Sequence, residues 1–535
     1  MSGSGALRGL STLLRFMLRR DRIALPAWVL GSSALGLYFM AAVETVAGSE
    51  EDLTGLAVMM DDPTMRLLTG PGYTGEEGIT QESFFAGGYL LYILLVVALM
   101  NIFLISRHTR LEEQTGRAEM VRSNVVGRHA TLAAALVLLT GANLAVGGLL
   151  VGAGSRVGFP AEGTVLVAAG ATVTGLVFAG AAACAAQVFA FSRSASGAVG
   201  ALLGVMFLVR GAGDMSERGG SWVSWMSPLA WPQQSAPYVE DRAWPLLLSL
   251  SLAAVLVVLA FRLSAARDVG GGLVAPRPGP AQASPGLGTP LGLAHRILRG
   301  TLRGWGAAIL VLAVVMVAMV ESMRESAEEL PEMLAQMFPP EQMVDSYLGM
   351  TGLLTALVAG AAVVAGMQHV LAEEPRGRAE TVLATPVSRT RWLAAHLTVL
   401  LLGLLVLMTV TGLISGGIAA AQLGEPDRLL EVTAAFVQHM PAVLAVAGVV
   451  TVAFGWLPRT MGLLGWLLVG LGFFASYVGQ ALELPETVEA LSVFGHLAEM
   501  PLEDFDAAPF WWLAAAGVLG IALGVLGFRR RQVGA

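Results

Sequence analysis

The sequence predicts an all-α polytopic membrane protein with 12 transmembrane helices arranged as two tandem six-helix halves. Three observations carry that expectation. Of the 535 residues, 55% are hydrophobic and 13% charged, with a mean hydropathy of +0.69, whereas soluble chains are about one-quarter charged. Apolar runs of about 20 residues recur along the whole length, continuous rather than alternating, which fits spanning helices and not a β-barrel. Finally, Glu112-Glu113-Gln114-Thr115-Gly116-Arg117-Ala118-Glu119 returns 261 residues later as Glu373-Glu374-Pro375-Arg376-Gly377-Arg378-Ala379-Glu380.

The expected spans are approximately 23–43, 84–106, 129–153, 163–191, 197–212, 244–263, 305–323, 350–370, 392–418, 431–456, 461–479 and 510–528. An even number places both termini on one side. All 32 basic residues are Arg. With the termini in the cytoplasm, 25 Arg fall on inner segments and 7 on outer ones, while 8 of the 39 acidic residues fall inside. That is a positive-inside distribution, which places both termini in the cytoplasm. The net charge of −7 therefore belongs to the outer loops and does not point to nucleic acid. Basic residues precede a full-length first span and more spans follow, so the N-terminus does not read as a cleaved leader.

Each half opens on a short amphipathic segment. Arg8, Arg15, Arg19 and Arg22 share one helical face opposite Leu7, Leu10, Leu14, Met17 and Leu18. Arg296, Arg299 and Arg303 face away from Ala294, Leu298 and Leu302. Such segments read as elbows lying on the inner leaflet among its lipids. The expected organisation is an elbow at 1–22, a first half at 23–263, a Gly/Pro-rich flexible linker at 264–290, a second elbow at 291–304, a second half at 305–528 and a tail at 529–535. The first outer loop, Glu44–Glu82, is about 19 residues longer than its counterpart and long enough to order as a small cap. Trp222, Trp225, Trp231 and Trp244 cluster in an outer segment and fit an interfacial belt. Gly148-x-x-x-Gly152 has the spacing of a close helix contact.

Nine of the seventeen positions in 112–128 are identical to their partners 261 residues on. Glu113/Arg117 and Glu374/Arg378 stand at i,i+4 with the acid first, so each loop is expected to form a short helix tied by that pair. Two equivalent surfaces suit a partner with two-fold symmetry. Pro386 and Ser388 stand where the first copy has Val125 and Gly127. Cys184 is the one cysteine, which leaves no disulfide within the chain and no cysteine metal cluster. Without Lys, the chain carries no Walker A phosphate loop. Ionisable residues near spans are few: Arg210 is placed to snorkel from an outer helix end, while His396 and His439 read as packed, hydrogen-bonding side chains.

Loop, elbow and six-span half resemble the permeases of ABC-2-type ATP-binding-cassette exporters, whose Glu-rich, Gly-containing segment is followed by Pro-Val-Ser-Arg after the second span. Glu373, Glu374, Gly377, Glu380, Pro386, Val387, Ser388 and Arg389 carry the likeness. The fused form, with Trp-x-Ser-Pro-Leu-x-Trp at 225–231, is similar to bacterial polyketide-antibiotic exporters of the tetronasin-resistance type. The resemblance implies a non-enzymatic permease subunit that exports hydrophobic or amphiphilic compounds. Two copies of a separate ATPase would hold the ATP and magnesium, with no cofactor in this chain. Its coupling residues would be Glu112, Glu113, Gly116, Arg117, Glu119 and Arg128 toward one ATPase, and Glu373, Glu374, Gly377, Arg378, Glu380, Pro386 and Arg389 toward the other. A proton-coupled efflux transporter and a non-transporting scaffold are the other open classes. The lack of Asp or Glu at predicted mid-span positions counts against the former.

Overall fold

A computed structural model of the chain describes residues 5–48, 53, 56–57, 60–75, 78–268, 270–275, 279, 281–321, 323–324, 340–478 and 492–532. Ser322 within the expected 305–323 span, Gly479 at the end of the 461–479 span and the acidic stretch 480–491 lie outside the described residues. The chain separates into two compact units, Met1–Gly279 and Pro280–Ala535. Helices dominate both, and among the described residues β-pairing is confined to isolated bridges.

In the first unit α1 (Leu10–Arg20) precedes α2 (Ala24–Val46), and α3 (Pro63–Leu68) and α4 (Gln81–Gly88) lie in the following connection. Next come α5 (Leu90–His108), α6 (Arg110–Gln114), α7 (Arg117–Arg122), α8 (Ala130–Val157), α9 (Ala161–Val188), α10 (Ser192–Ser216), α11 (Ala230–Gln233) and α12 (Trp244–Ala266). The second unit has α13 (Pro290–Val317), α14 (Pro340–Leu371), α15 (Arg378–Leu383), α16 (Arg389–Leu423), α17 (Arg428–Val437), α18 (Met440–Trp456), α19 (Met461–Phe473) and α20 (Ala507–Arg530).

Among the described residues 11 helices are long and apolar enough to cross a membrane. The expected 461–479 span is the shorter α19, which passes into a π-helical stretch at Phe474–Val478. The expected 197–212 span is longer than its apolar core, running from Ser192 to Ser216. It continues through Arg210 and Asp214 because they satisfy each other. The two leading segments differ. A turn at Asp21 separates α1 from α2, with the Asp21 carboxylate ion-paired to Arg107 Nη2 at 2.9 Å and 2.7 Å from His108 Nε2. In the second unit the leading segment and its span form one uninterrupted helix, α13.

Small residues set the packing. In the first unit Gly147 approaches Ala168 and Thr172 of α9, Gly154 approaches Thr164, and Gly180 approaches Leu256 of α12. Gly148 and Gly152 face away from any neighbour, so that spacing is not a contact here. The apolar pattern could not tell which face of α8 is turned inward. Asn101 of α5 and Asn143 of α8, both buried, exchange side-chain amide bonds of 2.8 and 3.0 Å. In the second unit α18 and α20 meet backbone to backbone through Gly448, Gly455, Gly517, Gly520 and Gly524.

The described residues of the long first loop pack as a cap over α10. α3 lies on α10, Arg66 donates to the Met215 carbonyl (3.1 Å), and Gln233 donates to the Thr69 carbonyl (2.6 Å). Tyr73 donates to Gln234 Oε1 (2.5 Å) or the Gly219 carbonyl (3.0 Å), and Arg218 donates to Thr74 Oγ1 (2.7 Å). Burial pushes the Tyr73 phenol up. Trp231 Nε1 donates to the Trp225 carbonyl (2.9 Å), and Trp225 stacks on Trp244 at 5.1 Å.

Candidate functional site

Both copies of the repeated loop break at the same glycine. Gly116 has φ +72° and Gly377 φ +70°, and in each the glycine N–H closes a turn onto the second glutamate's carbonyl (Glu113, 3.1 Å; Glu374, 2.9 Å). A short helix restarts immediately afterwards, α7 in one unit and α15 in the other. The expected i,i+4 ties therefore do not form, because that rule needs one continuous helix and a left-handed residue ends it. A Cβ at either glycine would meet nothing within 4 Å, so conformation alone requires Gly there. Gly116→Ala and Gly377→Ala are each expected to cost about 1 kcal/mol, with Gly→Asn milder, since Asn tolerates this region better. Thermal melting of the purified permease checks this ordering.

The glutamates turn inward. Glu113 takes both guanidinium nitrogens of Arg267 (2.5 and 2.9 Å) and Nη1 of Arg110 (2.8 Å). Arg110 is fully buried and also donates to the Ala186 and Gly271 carbonyls. Glu112 pairs with Arg20 of α1 and, at 3.5 Å, with Arg117. In the second unit Glu373 pairs with Arg378 (2.5 Å), and its carbonyl accepts from the Arg378 and Ala379 N–H groups (both 3.1 Å). Glu374 pairs with Arg531 (2.5 Å). These pairs are largely or partly withdrawn from solvent, which makes them stronger than surface pairs.

Arg128 and Arg389, which end the repeat, cap helices. Arg128 donates to the Ala265 carbonyl at the end of α12 (2.5 Å), and Arg389 donates to the Arg529 carbonyl at the end of α20 (3.2 Å). A cation there complements the helix dipole. Pro386 is exposed, and Ser388 caps α16 by accepting from Arg391 N–H (3.2 Å). The first copy has no side-chain cap at the corresponding start of α8. The outward face of each loop includes Arg117, Glu119, Met120 and Val125 in one unit, and Arg376, Arg378, Glu380 and Pro386 in the other.

Sequence reasoning missed Arg267 and Arg531. Both stand outside the repeat, just beyond the last spanning helix of their unit, and their partners are distant in sequence. The Gly-rich linker also departs from expectation at its start. Leu273 and Val274 N–H donate to the Gln187 and Val188 carbonyls (3.1 and 3.0 Å), which holds this segment against α9.

Arg210 is fully buried rather than snorkelling. Its Nη1 donates to Asp214 Oδ2 (2.9 Å) and Gln233 Oε1 (3.3 Å), its Nη2 donates to the Leu67 carbonyl, and Ser224 Oγ donates to Asp214 Oδ1 (2.5 Å). Asp214 belongs to the same helix, Leu67 to the first-loop cap, and Ser224 and Gln233 to the segment before α12. His396 Nδ1 lies 2.8 Å from the Trp392 carbonyl, with its ring 4.6 Å from the indole. His439 is buried beside Gly352 at the start of α18. Among the described residues no group of three or more His, Cys, Asp or Glu side chains is placed to hold a metal ion.

Long apolar helices with internally satisfied charge at their ends define a multi-pass all-α membrane protein. The family described as "Multidrug efflux system permease Rv1217c, C-terminal domain" matches residues 10–263 and 287–529, and the chain belongs to that family. It is 37% identical to the multidrug efflux system permease protein Rv1217c of Mycobacterium tuberculosis (strain ATCC 25618 / H37Rv), across 99% of this chain and 96% of that one.

Proposed function

We propose that this chain is the membrane permease subunit of an ATP-driven exporter of the ABC-2 type, of the tetronasin-resistance kind, moving hydrophobic or amphiphilic compounds out of the cell. The relative's description as a multidrug efflux permease supports efflux. The observation that favours ATP drive is the pair of repeated loops. Each turns on a left-handed glycine and leaves the same two charges outward, Arg117 and Glu119 in one and Arg378 and Glu380 in the other. In this reading each loop meets one copy of a separate ATPase, which holds ATP and magnesium. The loops and both termini lie in the cytoplasm, and the spans lie in the plasma membrane.

The docking test belongs on the outward residues, since Glu113 and Glu374 are occupied within the permease. Glu119→Arg combined with Glu380→Arg is expected to lower co-purification of the partner ATPase proposed here at least tenfold, while the permease still folds. If the wild-type permease retains no ATPase, or exports drug in ATP-free vesicles on a proton gradient alone, the reading fails.

A further inference from the structure

We propose that the Glu113–Arg267 and Glu374–Arg531 ion pairs are a transmission joint, present once in each half. Each fastens the repeated loop to the end of the last spanning helix of its own half. This inference rests on the function proposed above and deepens it by naming the residues that carry loop movement into the membrane.

The geometry recurs independently in the two units. In each, the second glutamate of the pair of acids binds an arginine just past the last helix, which ends at Ala266 in one and at Arg530 in the other. In each, a second tie joins the same two elements: Arg128 to the Ala265 carbonyl, and Arg389 to the Arg529 carbonyl. Two attachment points resist rotation as well as separation. In each, the arginine also reaches the fourth spanning helix. Arg267 Nε donates to Gln187 Oε1 on α9 at 2.7 Å, and the Arg531 guanidinium lies over the Phe454 ring of α18 at 5.3 Å. The loop, the fourth helix and the sixth helix thus meet at one guanidinium.

Chemistry makes this a stiff connection. A carboxylate–guanidinium pair withdrawn from water is stronger than a surface pair, and at Glu113 the two contacts from Arg267 also fix orientation. Side-chain exposure is 9% and 8% for Glu113 and Arg267, and 8% and 17% for Glu374 and Arg531. Arg267 and Arg531 are therefore positioning residues. They touch no substrate in this assignment and act through the helices they join.

The test uses the full-length permease reconstituted with its ATPase in proteoliposomes, reading bound ATPase, ATP hydrolysis and drug moved per ATP. Glu374→Arg and Arg531→Glu, each alone, are expected to leave the ATPase bound and hydrolysing while drug moved per ATP falls at least tenfold. The combined swap is expected to restore it to within threefold, and Glu113→Arg with Arg267→Glu is expected to behave alike. A second measurement does not depend on charge reversal. Glu374→Cys and Arg531→Cys joined by a short bis-maleimide, in a Cys184→Ala background, are expected to keep transport per ATP. Unchanged coupling in the single reversals overturns the joint. So does loss of ATPase binding in them to the extent seen with Glu119→Arg and Glu380→Arg, or transport stopped by the cross-link. A wild-type permease that holds no ATPase overturns both the joint and the function on which it rests.

Discussion

Arg210→Met is expected to destabilise the permease by about 3–5 kcal/mol, the range for removing one partner of a buried ion pair. Arg210 and Asp214 are both fully buried, one helical turn apart near the end of α10. Without the guanidinium, Asp214 keeps the Ser224 hydroxyl but faces no opposite charge from its own helix. The Leu67 carbonyl and Gln233 Oε1 lose their donor as well. Thermal melting of the purified protein reads the loss. Arg210→Met combined with Asp214→Leu is expected to recover much of it, because an apolar pair of similar size avoids the stranded charge. A melting temperature unchanged by the single substitution would show that the loop cap, not the ion pair, holds this end of the helix.

Gly524→Ala has the second largest expected effect. A Cβ at Gly524 would stand 2.2 Å from the Thr451 carbonyl oxygen and 2.3 Å from its carbon. Backbone cannot rotate aside as a flexible side chain can. α20 must therefore shift away from α18, at an expected cost of about 3 kcal/mol, the upper part of the overpacking range. Gly148→Ala, which would meet nothing within 4 Å, is expected to change stability by no more than about 0.5 kcal/mol, as at other unconstrained surface positions. Melting of the two variants side by side tests whether contact, rather than the mere presence of glycine, sets the cost. Equal effects would refute the assignment of the α18–α20 contact.

These two sites also show where reading residues in order succeeds and where it stops. The spanning helices are legible because hydrophobicity along the chain is a local property. The repeated loop is legible because identity at a fixed offset needs no structure. The helical tie expected between Glu113 and Arg117 is not formed, although Gly116 stood between them in plain view. The spacing rule holds only while the backbone stays right-handed. Arg210 is misplaced by sequence although Asp214 stands one turn along, because the Leu67 carbonyl and Gln233 that complete its surroundings are distant in the chain. Gly148 and Gly524 have equally suggestive spacings, but spacing does not say which face another helix covers. Arg267 and Arg531 carry no local signal, since a basic residue after a span is what topology alone requires.

The ties of each loop run to helices encoded in the same half: Glu113 to Arg267, and Glu374 to Arg531. Neither connection needs the two halves to be one polypeptide. Carrying both loops on one polypeptide therefore fixes their one-to-one stoichiometry rather than supplying mechanical continuity. A homodimer must use one loop sequence twice. A fused chain is released from that constraint and can let one copy drift toward Pro386-Val387-Ser388 while the other keeps Val125-Val126-Gly127.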